Sequence, residues 1–306
     1  MRVQTTAMQL LVGTDDGLYQ LTDGDARRVG QGRVDHLAVA TDGTVWAIVD
    51  EGIARLAEGT WAPADLSLDH APRSLLPAGG TLLVGTAAAH LYVAEDGGVR
   101  LVGGFEEAEG RARWHTPWGG PPDTRSLARG VDGTLYANVH VGGVLRSIDA
   151  ERWAPTMDIG ADVHQVAAHP TLAGCALVAS AWGFGVTFDA ADGWAFTDDG
   201  LHNSYCRAVA ATDAFVFITA SDGPRGGRGA VYRRSLRVDG PFERCRAGLP
   251  EWFDGNVDTG CLVTSGSSVA LGTADGSVFV SGDAGATWQE AATGLPQIRA
   301  LAASSG

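Results

Sequence analysis

The chain has 306 residues, of which 45% are hydrophobic and 43 are glycine, and it carries a formal net charge of −14. This length suits two average domains or one large all-β domain with a sizeable core. The negative field repels phosphate backbones and speaks against nucleic acid as a partner. No 18-residue apolar run offers a membrane span, and the opening "MRVQTTAMQLLVGT" lacks the apolar heart of a secretory signal.

The elements follow one grammar along the chain. "MQLLVGTDDGLYQLT" predicts two outer strands with no inner strand ahead of them. Seven short alternating segments then follow: "VDHLAVA", "APRSLLP", "DTRSLAR", "DVHQVAA", "YCRAVAA", "DTGCLVT" and "QIRALAA". Aligned, one column holds His36, Arg73, Arg125, His164, Arg207, Gly260 and Arg299, at spacings of 37, 52, 39, 43, 53 and 39 residues. Most copies are followed by a turn such as "TDGT" or "VDGT" and an apolar strand such as "VWAIV" or "LYANVHV". A glycine-rich hairpin and a third strand such as "GIARL", "VLRSI" or "AVYRR" come next. A poorer fourth strand carries Trp61, Trp153, Trp194, Phe242 or Trp288.

Strand-like repeats of this period predict a propeller. Seven copies predict seven four-stranded antiparallel blades in one all-β domain spanning 1–306. The closing "IRALAASSG" is an inner strand with nothing after it. It is expected to pair with the N-terminal strands, which closes the ring and removes an open sheet edge. The longest irregular stretch, 105–122, reads as a loop between blades. Cys175, Cys206, Cys245 and Cys261 show no C-x-x-C spacing and read as reduced core thiols of a cytoplasmic protein.

A second motif recurs. "SGDAGATW" (281–288) has the form S-x-D-x-G-x-T-W; "TFDAADGW" (187–194) and "SIDAERW" (147–153) keep the hydroxyl, the Asp and the Trp. This element resembles the Asp-box of BNR-type propellers, and the R-x-L-A inner strands resemble YVTN/BNR-like repeats over nearly the whole chain. One box is intact, two are partial and four blades lack it. The resemblance implies that Asp149, Asp189 and Asp283 cap turns between third and fourth strands, with the Trp packed between blades. It also implies a family of sialidases, photosystem assembly factors and proteins of unassigned role.

Candidate chemistry gathers on the face opposite these turns, where inner strands start and second-to-third-strand hairpins end. Arg73, Arg125, Arg207 and Arg299 would form a collar for a carboxylate or phosphate. The competing reading is repeat grammar, with Asp35, Asp123, Asp162 and Asp258 neutralising neighbouring arginines. His115, His140 and His164 come from a loop, a hairpin and an inner strand. Converging, they would hold Zn or Cu with one open coordination position, or would move protons as acid and base. The competing reading is three packed histidines. Trp118, in the "WGGPPD" loop, would serve as a lid, and Trp182 and Tyr205 would line the mouth. "SDGPRGGRG" (221–229) and the "GLPEWFDGN" segment with Trp252 and Phe253 approach the same mouth as a flexible tip and core cover. His169 reads as structural, and His90 and His202 as peripheral.

The expected function is small-molecule binding, with metal-assisted or histidine acid–base hydrolysis or lysis of an anionic substrate. The alternative is a non-catalytic scaffold for a protein partner, as in the assembly factors of the resembled family. A sialidase role, which in that family uses an arginine triad and a Tyr assisted by a Glu, fits less well. The R-I-P start is missing, sialidases have six blades, and no Glu lies near Tyr205 in sequence.

Overall fold

The computed structural model describes residues 8–22, 24–57, 60–95 and 98–304. Its strands form seven four-stranded antiparallel sheets arranged as the blades of a propeller. Blade 1 is made from both ends of the chain: Ile298–Ser304 is its inner strand, followed by Gln9–Thr14, Gly17–Thr22 and Asp25–Gln31. The closing register matches Leu10 with Ala303 and Val12 with Leu301. Leu10, Val12 and Leu301 are buried, so a one-residue slip would expose them. Blades 2 to 7 start on inner strands Val34–Val39, Pro72–Ala78, Thr124–Arg129, Val163–Ala168, Tyr205–Ala211 and Leu262–Ser265.

Second strands have a neighbouring blade on each face. Leu135–Val139 and Ala176–Ser180 are buried at every position and read as continuous small and apolar runs rather than as alternation. The inner strands differ. In five of them the ladder shifts register near the column residue, skipping Asp35, Arg73, Arg125 and His164, and Arg207 within a two-residue gap. In the first of these His36 stays paired with Ile48, and Asp35 takes the bulge in its place. Arg299 is skipped in the same way between Ile298 and Ala300. A bulge re-aims the extra residue out of the sheet plane, which turns a repeated sequence column into a ring of side chains at the mouth.

The Asp motifs sit at the opposite face, as expected. Asp283 Oδ1 accepts the Thr287 N–H at 2.8 Å, and its Oδ2 accepts the Thr287 hydroxyl at 2.7 Å. Asp189 accepts Gly193 N–H at 3.0 Å, and Asp149 accepts the N–H groups of Glu151 and Arg152 at 3.0 and 2.8 Å. These amide bonds hold Asp149 well below the usual carboxylate range. Trp288 is buried; its backbone N–H donates to Ala247 O of blade 6 at 2.9 Å, and its indole N–H to Gly285 O at 3.2 Å.

The 105–122 stretch carries more structure than a plain loop. A helical turn, Gly103–Glu106, and a 3-10 turn, Arg111–Arg113, fold it back on itself. Phe105 anchors it, with ring centroids 5.6 Å from both Trp114 and Trp153. All four cysteines are buried and unpaired, and burial pushes the Cys175 and Cys245 thiols up to about 11.

Candidate functional site

The bulged arginines meet carboxylates around the mouth. Arg73 Nε donates to Asp123 Oδ2 at 3.4 Å, Arg207 Nε to Asp258 Oδ1 at 2.8 Å, and Arg299 Nε to Asp15 Oδ1 at 2.7 Å. Arg33 does the same with Asp35 at 2.8 Å. In the first two pairs the acid stands two residues before the next blade's column position. The collar expected to grip an anion is thus largely neutralised, a correction for Arg73, Arg207 and Arg299 as free anion ligands. A cleft of about 640 Å³ beside Arg73 is lined by Asp35, Asp50 and Glu51 as well as Arg33, which disfavours an anion there.

One pair breaks the pattern. By position, Asp162 should serve Arg125. Instead its backbone adopts φ 45°, ψ 67° after the 3-10 turn Ile159–Ala161. A left-handed backbone suits Asp better than most side chains, yet it is strained. The carboxylate turns to the imidazoles: Oδ1 lies 3.2 Å from His140 Nε2, and Oδ2 lies 3.7 Å from His164 Nε2. Arg125 is left with Nη1 buried and without a hydrogen-bond partner. Burial, and then the nearby Arg207, lower its pKa. An unmatched buried guanidinium N–H costs free energy.

The two histidines are 4% and 1% exposed. His164 Nδ1–H donates to Cys206 O at 2.5 Å. A carbonyl only accepts, so Nδ1 carries the proton and, in the neutral ring, Nε2 keeps its lone pair. Burial lowers the pKa of His164, while Asp162 opposes that. Burial raises the pKa of Asp162, but the two imidazoles outweigh it and keep the carboxyl below its ordinary range.

The rings form a short ladder. Trp118 lies 5.2 Å from His140, His140 lies 6.4 Å from His164, and His164 lies 4.8 Å from Tyr205. Trp118 is 73% exposed, on a turn closed by Gly120 N–H to Thr116 Oγ1 at 2.7 Å. Deeper in the channel, Thr259 Oγ1 bonds His164 O at 3.2 Å and Arg207 O at 3.0 Å. Gln165 Oε1 accepts Val209 N–H at 3.3 Å and Gly260 N–H at 3.4 Å. These two side chains stitch blades 5, 6 and 7 beneath the imidazoles. Neither was foreseen, because neither lies in the aligned column.

Several expectations need correction. His115 is exposed, with Nδ1 at 3.0 Å from Arg113 O, and it does not join His140 and His164. Among the described residues no group of three or more His, Cys, Asp or Glu side chains could hold a metal ion. The donors present therefore do not fit the expected Zn or Cu site. Trp182 packs edge-on against Phe196 of the outermost strand, ring centroids 5.5 Å apart. The Tyr205 hydroxyl accepts from Arg207 Nη1 at 3.2 Å, and among the described residues no Glu bonds it, unlike a sialidase nucleophile. His90, read as peripheral, stacks on His70 at 4.4 Å and approaches Glu106 at 2.9 Å. His169 is structural as expected, its Nδ1 accepting the N–H groups of Thr171 and Leu172 at 3.3 and 3.2 Å.

Fold and mouth define the class: a seven-bladed β-propeller whose channel is ringed by ion-paired arginines, with one seam rebuilt around two imidazoles. No protein-family model matches the chain, and no curated protein sequence does. Solved structures do. A Lactobacillus plantarum protein aligns with TM-score 0.66 at 14% identity, over 97% of this chain and 99% of its own. A Niastella koreensis GH74 enzyme aligns with TM-score 0.63 at 14% identity, over 93% of this chain but only 47% of that one. YCF48 bound to D1 peptide aligns with TM-score 0.59 at 14% identity, over 94% and 86%. The neighbours thus include both an enzyme and a peptide-binding protein, and at these identities the likeness shows the fold alone.

Proposed function

We propose that this propeller binds a small organic anion, a carboxylate or phosphate, at the mouth between blades 4 and 6. One observation carries the reading: Arg125 is the column arginine whose positional acid has turned away, leaving a buried donor with nothing to bond. An oxyanion would satisfy it and relieve its repulsion with Arg207. Trp118 covers His140 and would act as the lid.

Beside the bound anion, the chemistry on offer is proton transfer. His164 has its Nδ1 proton fixed on Cys206 O and its Nε2 3.7 Å from Asp162 Oδ2. Asp162 would stabilise either imidazole as it gains a proton. This supports histidine acid–base chemistry on an anionic substrate and needs no metal. The three Asp turns support kinship with Asp-box propellers, a likeness that concerns the scaffold rather than the site.

The test is calorimetric titration with acetate, benzoate and inorganic phosphate. Wild-type protein is expected to bind at least one of them, and Arg125→Met to weaken that binding about tenfold or more. Equal binding by both proteins, or none by wild type, overturns the reading.

A further inference from the structure

Blade 6 inverts the charge of the molecule. Between 205 and 246 the chain carries eight arginines against four carboxylates, a surplus of four within a chain of net −14. Every one of the 22 basic residues in the protein is arginine.

Several of the eight are occupied. Arg233 Nη1 donates to Ala284 O at 2.8 Å, Arg234 is held against Phe184 and Phe242, and Arg207 pairs with Asp258. Another group gathers on Trp252. Arg244 Cζ lies 3.5 Å from the indole centroid, Arg228 Cζ 5.4 Å, and the His202 ring 4.9 Å. Burial, followed by repulsion from Arg246, lowers the pKa of Arg244. Arg244 Nε and His202 Nε2 are both buried without a hydrogen-bond partner; Asp222 Oδ1 lies 3.9 Å from His202 Nε2. The Arg225 and Arg246 side chains are exposed and, among the described residues, neither makes a hydrogen bond or ion pair.

The place is defined by two segments on the imidazole face. The 222–229 hairpin joins the second and third strands of blade 6, and Gly229 bridges to Phe253, next to Trp252. Ser221 Oγ bonds Asn256 and fixes the hairpin against the same segment.

We propose that this rim of blade 6 docks an acidic polypeptide segment, its carboxylates meeting Arg225, Arg244 and Arg246 around the indole of Trp252. Guanidinium groups match carboxylates in bidentate fashion, and unpaired ones flanking an aromatic ring are favoured anchors at interfaces. The choice of polypeptide over nucleic acid follows from charge spacing. A nucleic acid strand needs a continuous positive track, and here a few arginines stand alone in an acidic surface. An acidic segment with neutral residues between its charges places carboxylates on the island and keeps them off its surroundings. The positive spot also steers such a partner toward one orientation.

The experiment uses the full chain and fluorescence anisotropy at low and high salt. The probes are a labelled alternating Glu-Gly peptide, its Gln-Gly counterpart and a short single-stranded DNA. The Glu-Gly peptide is expected to bind best, with affinity falling as salt rises. The double variant Arg225→Gln with Arg246→Gln is expected to weaken it about tenfold or more. Arg129→Gln, on the opposite face, is expected to leave it unchanged, and the double variant is expected to bind the small anions as the wild type does, which separates this surface from the anion site. No binding of the Glu-Gly peptide, equal binding by the double variant, or tighter binding of the DNA would each overturn the proposal.

Discussion

Asp162 Oδ1 lies 3.2 Å from His140 Nε2, whereas the equivalent acids Asp123 and Asp258 bond the arginine of the preceding blade. The left-handed backbone at Asp162 makes the difference. Asparagine tolerates the same conformation, so Asp162→Asn should keep the fold while removing the charge. Asp162 is what opposes burial at His164. The pKa of His164 should therefore fall further in the variant, read by long-range nitrogen–proton NMR through the pH range. A rise, or no change, would show that the carboxylate does not act on this ring.

Arg125 offers a stability test independent of any ligand. Its Nη1 is buried and unmatched, and Arg207 repels it. Arg125→Met should be neutral or stabilising by up to about 2 kcal/mol in urea unfolding of the ligand-free protein. Arg207→Met, which strips the partner from Asp258 and Tyr205, should cost about 1–2 kcal/mol. A large loss for Arg125→Met would mark that arginine as structural.

Acid should weaken the fold before the carboxylates titrate. Burial pushes the pKa of His36 down to about 4 from an ordinary 6.5, against a weaker upward pull from Leu75 O at 3.3 Å. The unfolded chain binds this proton first, so the contribution is complete above about pH 6.5 and is lost as pH falls toward 4. By about pH 5 the loss from His36 alone is about 2 kcal/mol. His164, also lowered, adds to it in the same direction. Urea midpoints at pH 7.5 and 5 read the drop, and His36→Gln should flatten it.

The Asp turns should matter for stability and not for ligands. Asp283→Ala removes the acceptor of the Thr287 N–H, the Thr287 hydroxyl and the Ser281 hydroxyl. About 1–3 kcal/mol of destabilisation is expected, with anion titration unchanged. A binding defect in the correctly folded variant would contradict the purely structural role given to Asp283.

The architecture was legible because repetition does the reading. A column of His36, Arg73, Arg125, His164, Arg207 and Arg299 recurs at blade-sized intervals, and all but His36, where the preceding Asp35 takes that place, land at a bulge. The convergence of His140 and His164 followed from topology, since hairpin and inner-strand start share a face. His115 escaped that logic. It lies on an insertion whose path is set by the 3-10 turn Arg111–Arg113 and the Phe105 anchor, and these override the repeat. Trp182 packs on Phe196 of the outermost strand, a contact that hairpin topology alone does not specify. The Asp162 turn had a trace in "DVH": an acid before a histidine, following a blade that carries arginine. The blade 6 island had a plainer one, the run of arginines from 225 to 246, which whole-chain charge averages away.

Ring closure has a consequence for geometry at larger scale. Gln9 pairs with Ser304, so both ends of the propeller depart from the face that holds the Asp turns. Whatever is joined to either end, whether a tag, a resin or a neighbouring module, hangs behind the ring. Immobilised in that way, the molecule would present its imidazole seam and its arginine island forward together, open to solution like a dish held from its back.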